Sequence, residues 1–212
     1  MKILYLHGFA SGPQSKKGVE FDRHLTALGH DVERLNLRVP SFEHLRLSAM
    51  IDTVVAAIER AGGPVVLIGS SLGALTAARV AERDDRVRAC VLLAPAFQLV
   101  ERWRQQLGAE WDVWRATGTR EVADYTTGGR STVDFGFVED VERIDVGYPD
   151  VRVPVLVMHG KNDDVVPVER ARTFAANRPN VRLIELDDGH ELIASLPTLL
   201  VESERFLAAL SA

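Results

Sequence analysis

Short runs of almost unbroken apolar residues, separated by longer stretches of helical periodicity, confine this chain to few folds. The runs are Met1 to Leu6, Val32 to Leu37, Pro64 to Ile68, Val87 to Leu93, Val153 to Met158 and Val181 to Leu186. A strand apolar along both sides must be covered on both faces, as parallel strands are. The clearest helical stretch is Phe42–Arg60, where Leu47, Met50, Ile51, Val54, Val55 and Ile58 form one stripe. Ser41 is placed to cap it and Gly62-Gly63-Pro64 to end it. Further helices are expected near Val19–Leu28, Leu72–Glu82, Val168–Ala176 and Glu191–Leu210. Strands alternating with helices give an α/β fold, a mostly parallel sheet flanked by helices with right-handed crossovers.

The alternation breaks between Phe97 and Asp150. All three tryptophans (Trp103, Trp111 and Trp114) fall there, with Tyr125, Phe135, Phe137 and Tyr148. Arg120–Tyr125 and Ser131–Phe137 flank Thr126-Thr127-Gly128-Gly129-Arg130, which reads as a hairpin. The expectation is one domain over 1–212 carrying a small aromatic-rich, cap-like insertion over 97–150. A chain of 212 residues is long enough to bury a single core.

Gly69-Ser70-Ser71-Leu72-Gly73 fits G-x-S-x-G, and its setting weighs more than its letters. Pro64–Ile68 before it reads as a strand and Leu72–Val80 after it as a helix. A serine on such a turn is held exposed above the sheet in a strained backbone. The helix start offers an oxyanion free N–H groups and the positive end of a dipole. Ser71 is therefore the candidate nucleophile.

A serine hydroxyl is a weak nucleophile unless a base takes its proton. In α/β-hydrolases the partners follow the serine in the order acid, then histidine. The strand Val153–Met158 leads into His159-Gly160-Lys161-Asn162-Asp163-Asp164-Val165-Val166-Pro167, which offers Asp163 and Asp164 as acids. The loop after Leu93, Ala94-Pro95-Ala96, offers none. The last strand runs into Asp187-Asp188-Gly189-His190, making His190 the candidate base. Asp187, Asp188 and Glu191 beside it match no metal-ligand spacing, and neither metal nor organic cofactor is expected. Oxyanion N–H groups come from the loop after the first strand, here His7-Gly8-Phe9-Ala10, and from the residue after the nucleophile. Phe9 and Leu72 are assigned, with Ala10 as the alternative to Phe9. His7 is read as shaping its loop, His24, His30 and His44 as surface residues, and Lys16 and Lys17 as a solvated helix start.

A net charge of −5 without long runs leaves no electrostatic footprint for nucleic acid and no basic patch for a membrane. The N-terminal apolar run is cut by His7-Gly8, too early for a signal peptide, and no stretch approaches a membrane span. The expected location is the cytoplasm. Cys90, the only cysteine, reads as a buried strand residue. The expected partner is a small-molecule ester or thioester, and nothing fixes an oligomeric state.

Tyr5-Leu6-His7-Gly8-Phe9-Ala10-Ser11-Gly12-Pro13-Gln14-Ser15-Lys16, with Ile68-Gly69-Ser70-Ser71-Leu72-Gly73, closely resembles the YqiA/YcfP-like bacterial esterases. His159–Pro167 resembles the H-G-x-x-D-x-x-V-P segment of α/β-hydrolases, which places Asp163 in the acid position. That segment and Phe135-Gly136-Phe137-Val138-Glu139-Asp140 also resemble mitochondrial acyl-protein thioesterase-like hydrolases, including acyl-glucuronide esterase. The resemblance covers most of the chain and is weakest from Glu101 to Arg130. It implies an α/β-hydrolase fold and hydrolysis of carboxylic esters or thioesters of small to medium acyl groups. The same triad is compatible with C–C bond hydrolysis or perhydrolysis, and the fold with a non-catalytic binding module.

Overall fold

The apolar runs assemble into one parallel sheet. The computed structural model describes residues 1–210, so the final two positions of the expected 1–212 domain lie outside the described residues. The strands are β1 (Lys2–Leu6), β2 (Asp31–Leu35), β3 (Val65–Ser70), β4 (Val87–Leu93), β5 (Thr119–Asp124), β6 (Gly129–Asp134), β7 (Val155–Gly160) and β8 (Val181–Leu186). β5 and β6 pair with each other as an antiparallel hairpin. The others form a sheet ordered β2-β1-β3-β4-β7-β8, every neighbour parallel.

Because successive strand residues point to opposite faces, the sheet feeds two cores. Leu4, Leu6, Val65 and Leu67 pack with α2 (Leu47–Ala61) and α3 (Leu72–Ala81) on one face. Ile3, Tyr5, Val66 and Ile68 pack with α1 (Lys16–Ala27) and α8 (Leu196–Ala209) on the other. α7 (Val168–Ala175) contributes Ala171 and Phe174 to the first core. Cys90 on β4 is buried, and burial pushes its thiol up to about 12. Among the described residues no helix is long and apolar enough to cross a membrane.

Residues 97–150 hold α4 (Leu99–Leu107), α5 (Ala109–Thr117), the hairpin and α6 (Gly136–Ile144). Trp111 and Trp114 are buried, and the Trp114 indole donates to the Val133 carbonyl at 3.1 Å. Half-buried Trp103 lies with its ring centroid 5.2 Å from that of Phe9. The aromatic residues thus join this segment to the loop after β1.

α3 and α7 start at Leu72 and Val168 as expected, whereas three helix starts depart from the periodicity for identifiable reasons. α2 begins at Leu47 rather than Phe42. Ser41 caps a separate turn, accepting from the His44 amide, while Asp140 of α6 accepts from the Ser48 amide at 2.8 Å and its hydroxyl at 3.0 Å. The cap therefore comes from a distant element. α1 starts earlier than expected, at Lys16, because the Ser15 hydroxyl accepts from the Gly18 amide. α8 starts at Leu196 rather than Glu191, after a loop in which Asp188 accepts from the Ser195 amide at 2.8 Å. β6 stops at Asp134, whose carboxylate takes the Phe137 amide and starts α6.

Candidate active site

The carboxyl ends of β1, β3, β7 and β8 supply the site. Ser71 stands between β3 and α3 at φ 53° and ψ −113°, a region that costs a residue with a side chain about 1–3 kcal/mol. The surroundings hold it there. Its amide donates to the Leu93 carbonyl at 2.8 Å, and its own carbonyl accepts from Ala74 at 3.0 Å and Ala96 at 3.2 Å. The motif glycines make the turn sterically feasible. A Cβ on Gly73 would lie 2.2 Å from the Leu6 carbonyl oxygen, and one on Gly69 would lie 2.4 Å from that of Gly73.

His190 follows β8 and brings its Nε2 to 3.0 Å from the Ser71 hydroxyl. Its Nδ1 lies 2.8 Å from Asp163 Oδ2. These side chains come from segments 119 and 27 residues apart. Gly160 lets the two loops meet, since a Cβ there would lie 2.3 Å from the Asp188 carbonyl. Asp163 faces the ring, whereas Asp164 is exposed.

Burial alone would push the Asp163 carboxyl up. Hydrogen bonds from His159, His190 and the Val166 amide outweigh it and hold the group well below the usual carboxylate range. As an ionised carboxylate it only accepts, so His190 Nδ1 carries a proton and Nε2 is free to accept from Ser71. The arrangement can move a proton off the serine hydroxyl and stabilise the imidazolium that results.

Phe9 follows β1 and Leu72 opens α3; among the described residues neither backbone amide donates to another protein group. The Ala10 carbonyl accepts from the Tyr125 amide of the hairpin at 2.9 Å. His7 shapes this loop: Nδ1 donates to the Gly8 carbonyl at 2.9 Å and Nε2 accepts from the Leu37 amide at 2.9 Å. Burial lowers its pKa, in keeping with a neutral ring. His44 is exposed, and His24 and His30 are partly covered, well away from the serine in chain position.

One expectation changes. Lys17 is not a solvated helix start, because its ammonium donates to the Glu191 carbonyl, immediately after His190, at 2.5 Å. Burial lowers its pKa, against the pull of Glu191, Asp188 and Asp163. Asp188 is engaged as a backbone acceptor for Gly189 and Ser195. Among the described residues no cluster of three or more His, Cys, Asp or Glu is placed to hold a metal ion.

His159 escaped the sequence reading. It is buried at the end of β7, its Nε2 2.8 Å from the Val166 carbonyl and 3.1 Å from Asp163 Oδ2. Both partners are acceptors, so Nε2 carries a proton and steadies the acid. Its place in His159–Pro167 was the available signal; its contact, made around a loop, was not.

A family model, described as the uncharacterised protein family UPF0227, matches residues 2–199. The human mitochondrial palmitoyl-protein thioesterase ABHD10 is 26% identical over 181 residues, covering 78% of this chain and 58% of that protein. The chain thus spans little more than half the length of the curated relatives it matches. Mouse alpha/beta hydrolase domain-containing protein 10 superposes with a TM-score of 0.82 at 23% identity, over 99% of this chain and 90% of that one. Est1E from Butyrivibrio proteoclasticus with bound ferulic acid superposes with a TM-score of 0.85 at 21% identity, over 98% and 88%. The fold is that of the α/β-hydrolases, as the motifs imply.

Proposed function

The chain belongs to the UPF0227 family, and from the Ser71–His190–Asp163 geometry we propose that it is a serine hydrolase cleaving carboxylic esters. The observation carrying this reading is the unbroken hydrogen-bonded line from hydroxyl to imidazole to carboxylate, 3.0 and 2.8 Å long. His190 takes the Ser71 proton as the oxygen attacks the acyl carbonyl, and Asp163 balances the imidazolium. The Phe9 and Leu72 amides are assigned to the oxyanion, each such donor being worth about 3–4 kcal/mol in the transition state. The imidazolium protonates the leaving group. Water activated by His190 then releases the acid from the acyl-enzyme.

The acyl group, small to medium in size, is assigned to the cleft beside these amides, which is lined by Gly8, Phe9, Leu37, Phe42, Leu45 and Leu72 among others. A thioester is the second reading, favoured by the name of the human relative, a palmitoyl-protein thioesterase. The two use the same machinery and differ in the leaving group.

Purified protein assayed against p-nitrophenyl esters and acyl-thioesters of graded chain length tests both. The expectation is turnover of small to medium acyl groups, with fluorophosphonate labelling at Ser71. Ser71→Ala should remove turnover and labelling while the fold persists. Folded wild-type protein that fails to label would instead mark a binding module on a hydrolase fold.

A further inference from the structure

Arg102 is a buried cation that the proposed chemistry leaves unused. It lies on α4, is 4% exposed, and among the described residues has no carboxylate within ion-pair distance. Its Nη1 donates to the Val165 carbonyl at 2.7 Å and contacts Gln106 Oε1 at 3.3 Å, while its Nε has no partner. Gln106, one turn along α4, donates to the same carbonyl at 3.2 Å. A buried guanidinium without a counter-ion is costly to keep, and burial draws its pKa down to about 10 against the pull of Asp163.

What the guanidinium touches gives it a use. The Val165 carbonyl and the Val166 amide are opposite ends of one trans peptide. At the far end, the Val166 N–H donates to Asp163 Oδ1 at 2.7 Å, and the Val165 N–H joins it at 2.9 Å. A cation on the carbonyl polarises the peptide and strengthens the hydrogen bond its N–H gives, since hydrogen bonds in series reinforce one another. The line therefore runs Arg102, Val165–Val166 peptide, Asp163, His190, Ser71.

We propose that Arg102 is a positioning residue that holds and polarises the Val165–Val166 peptide, thereby fixing the Asp163 carboxylate for catalysis. The proposal rests on reading Ser71, His190 and Asp163 as the triad. It makes α4 a bridge across the site, for the next residue, Trp103, packs on Phe9 of the oxyanion loop. The charged or titratable groups around the Asp163–His190 pair are Arg102 from α4, Lys17 from α1 and His159 from β7. The charge of Arg170 on α7 opposes that of Arg102, and the charges of Asp188 and Glu191 favour that of Lys17.

The test compares wild type, Arg102→Met and Arg102→Lys with p-nitrophenyl acetate across pH, each checked for folding by its thermal transition. In Arg102→Met, kcat should fall about tenfold, comparable to losing one hydrogen bond to a charged group, with KM within about twofold. The acid limb of kcat should move to higher pH, because a positive charge opposing protonation of the Asp163–His190 pair is gone. Arg102→Lys restores the charge and should return the limb to its wild-type place. Should Arg102→Met fail to fold, Arg102→Gln keeps a donor without charge and should still shift the limb. Folded variants with wild-type kcat and an unmoved acid limb would overturn the proposal while Ser71 labelling stood. Loss of labelling in wild-type protein would overturn the triad and, with it, the role given to Arg102.

Discussion

Asp163 makes four hydrogen bonds with its two oxygens, from Val165, Val166, His159 and His190. The result is a stability dependence with a definite sign. Its folded pKa lies below the unfolded value, about 3.9. The stabilisation is therefore complete above about pH 4 and is lost as the pH falls through the folded value. The urea midpoint of wild type should exceed that of Asp163→Asn by a margin that narrows below about pH 4. An equal margin at both ends would mean that folding does not favour the charged form. At this scale, the residues the sequence discloses are those whose chemistry restricts their type. Read as a triad, Ser71, His190 and Asp163 need a hydroxyl, an imidazole and a carboxylate in a known chain order. Arg102 and Lys17 act on backbone carbonyls from remote segments, and His159 acts around its own loop; no spacing announces such contacts.

Besides the Tyr125 amide on Ala10, a buried side chain ties the β5–β6 hairpin to the site. Asp124 accepts from Arg38 at 2.8 and 3.0 Å, from Ser131 at 2.7 Å and from the Thr126 amide at 3.0 Å. Its side chain is fully covered, and the Arg38 contacts hold its pKa far below the usual range. Arg38→Met leaves that carboxylate unpaired and should lower stability by about 3 kcal/mol, read as a fall in the denaturant midpoint. The aromatic residues of 97–150 divide in the same way. Trp114 is 1% exposed, so Trp114→Ala should cost about 3–5 kcal/mol without altering acyl-chain preference. Half-buried Trp103, packed on Phe9, should show the reverse, with Trp103→Ala changing preference and costing less. Rates across a p-nitrophenyl ester series, beside thermal melts, separate the two.

Across the molecule, the strand order explains why the site lies where it does. From β1 the chain crosses to β2 on one side, and β3 then pairs on the other. The reversal opens a crevice at the carboxyl ends of β1 and β3, where Gly8 and Ser71 come close, while β7 and β8 bring Asp163 and His190 alongside. Much of this was legible, because strands covered on both faces and a turn at Gly69–Gly73 leave few arrangements open. The starts of α3 and α7 were legible too, but those of α1, α2 and α8 were not: Asp140 caps α2 from far along the chain, and local periodicity carries no trace of it. The Val165–Val166 peptide has a consequence for how such proteins drift. A link made of main-chain atoms survives replacement of the side chains on it, so exposed Val165 is free to vary. Natural variation would register the connection only at its two ends, as an arginine and an aspartate gained or lost together.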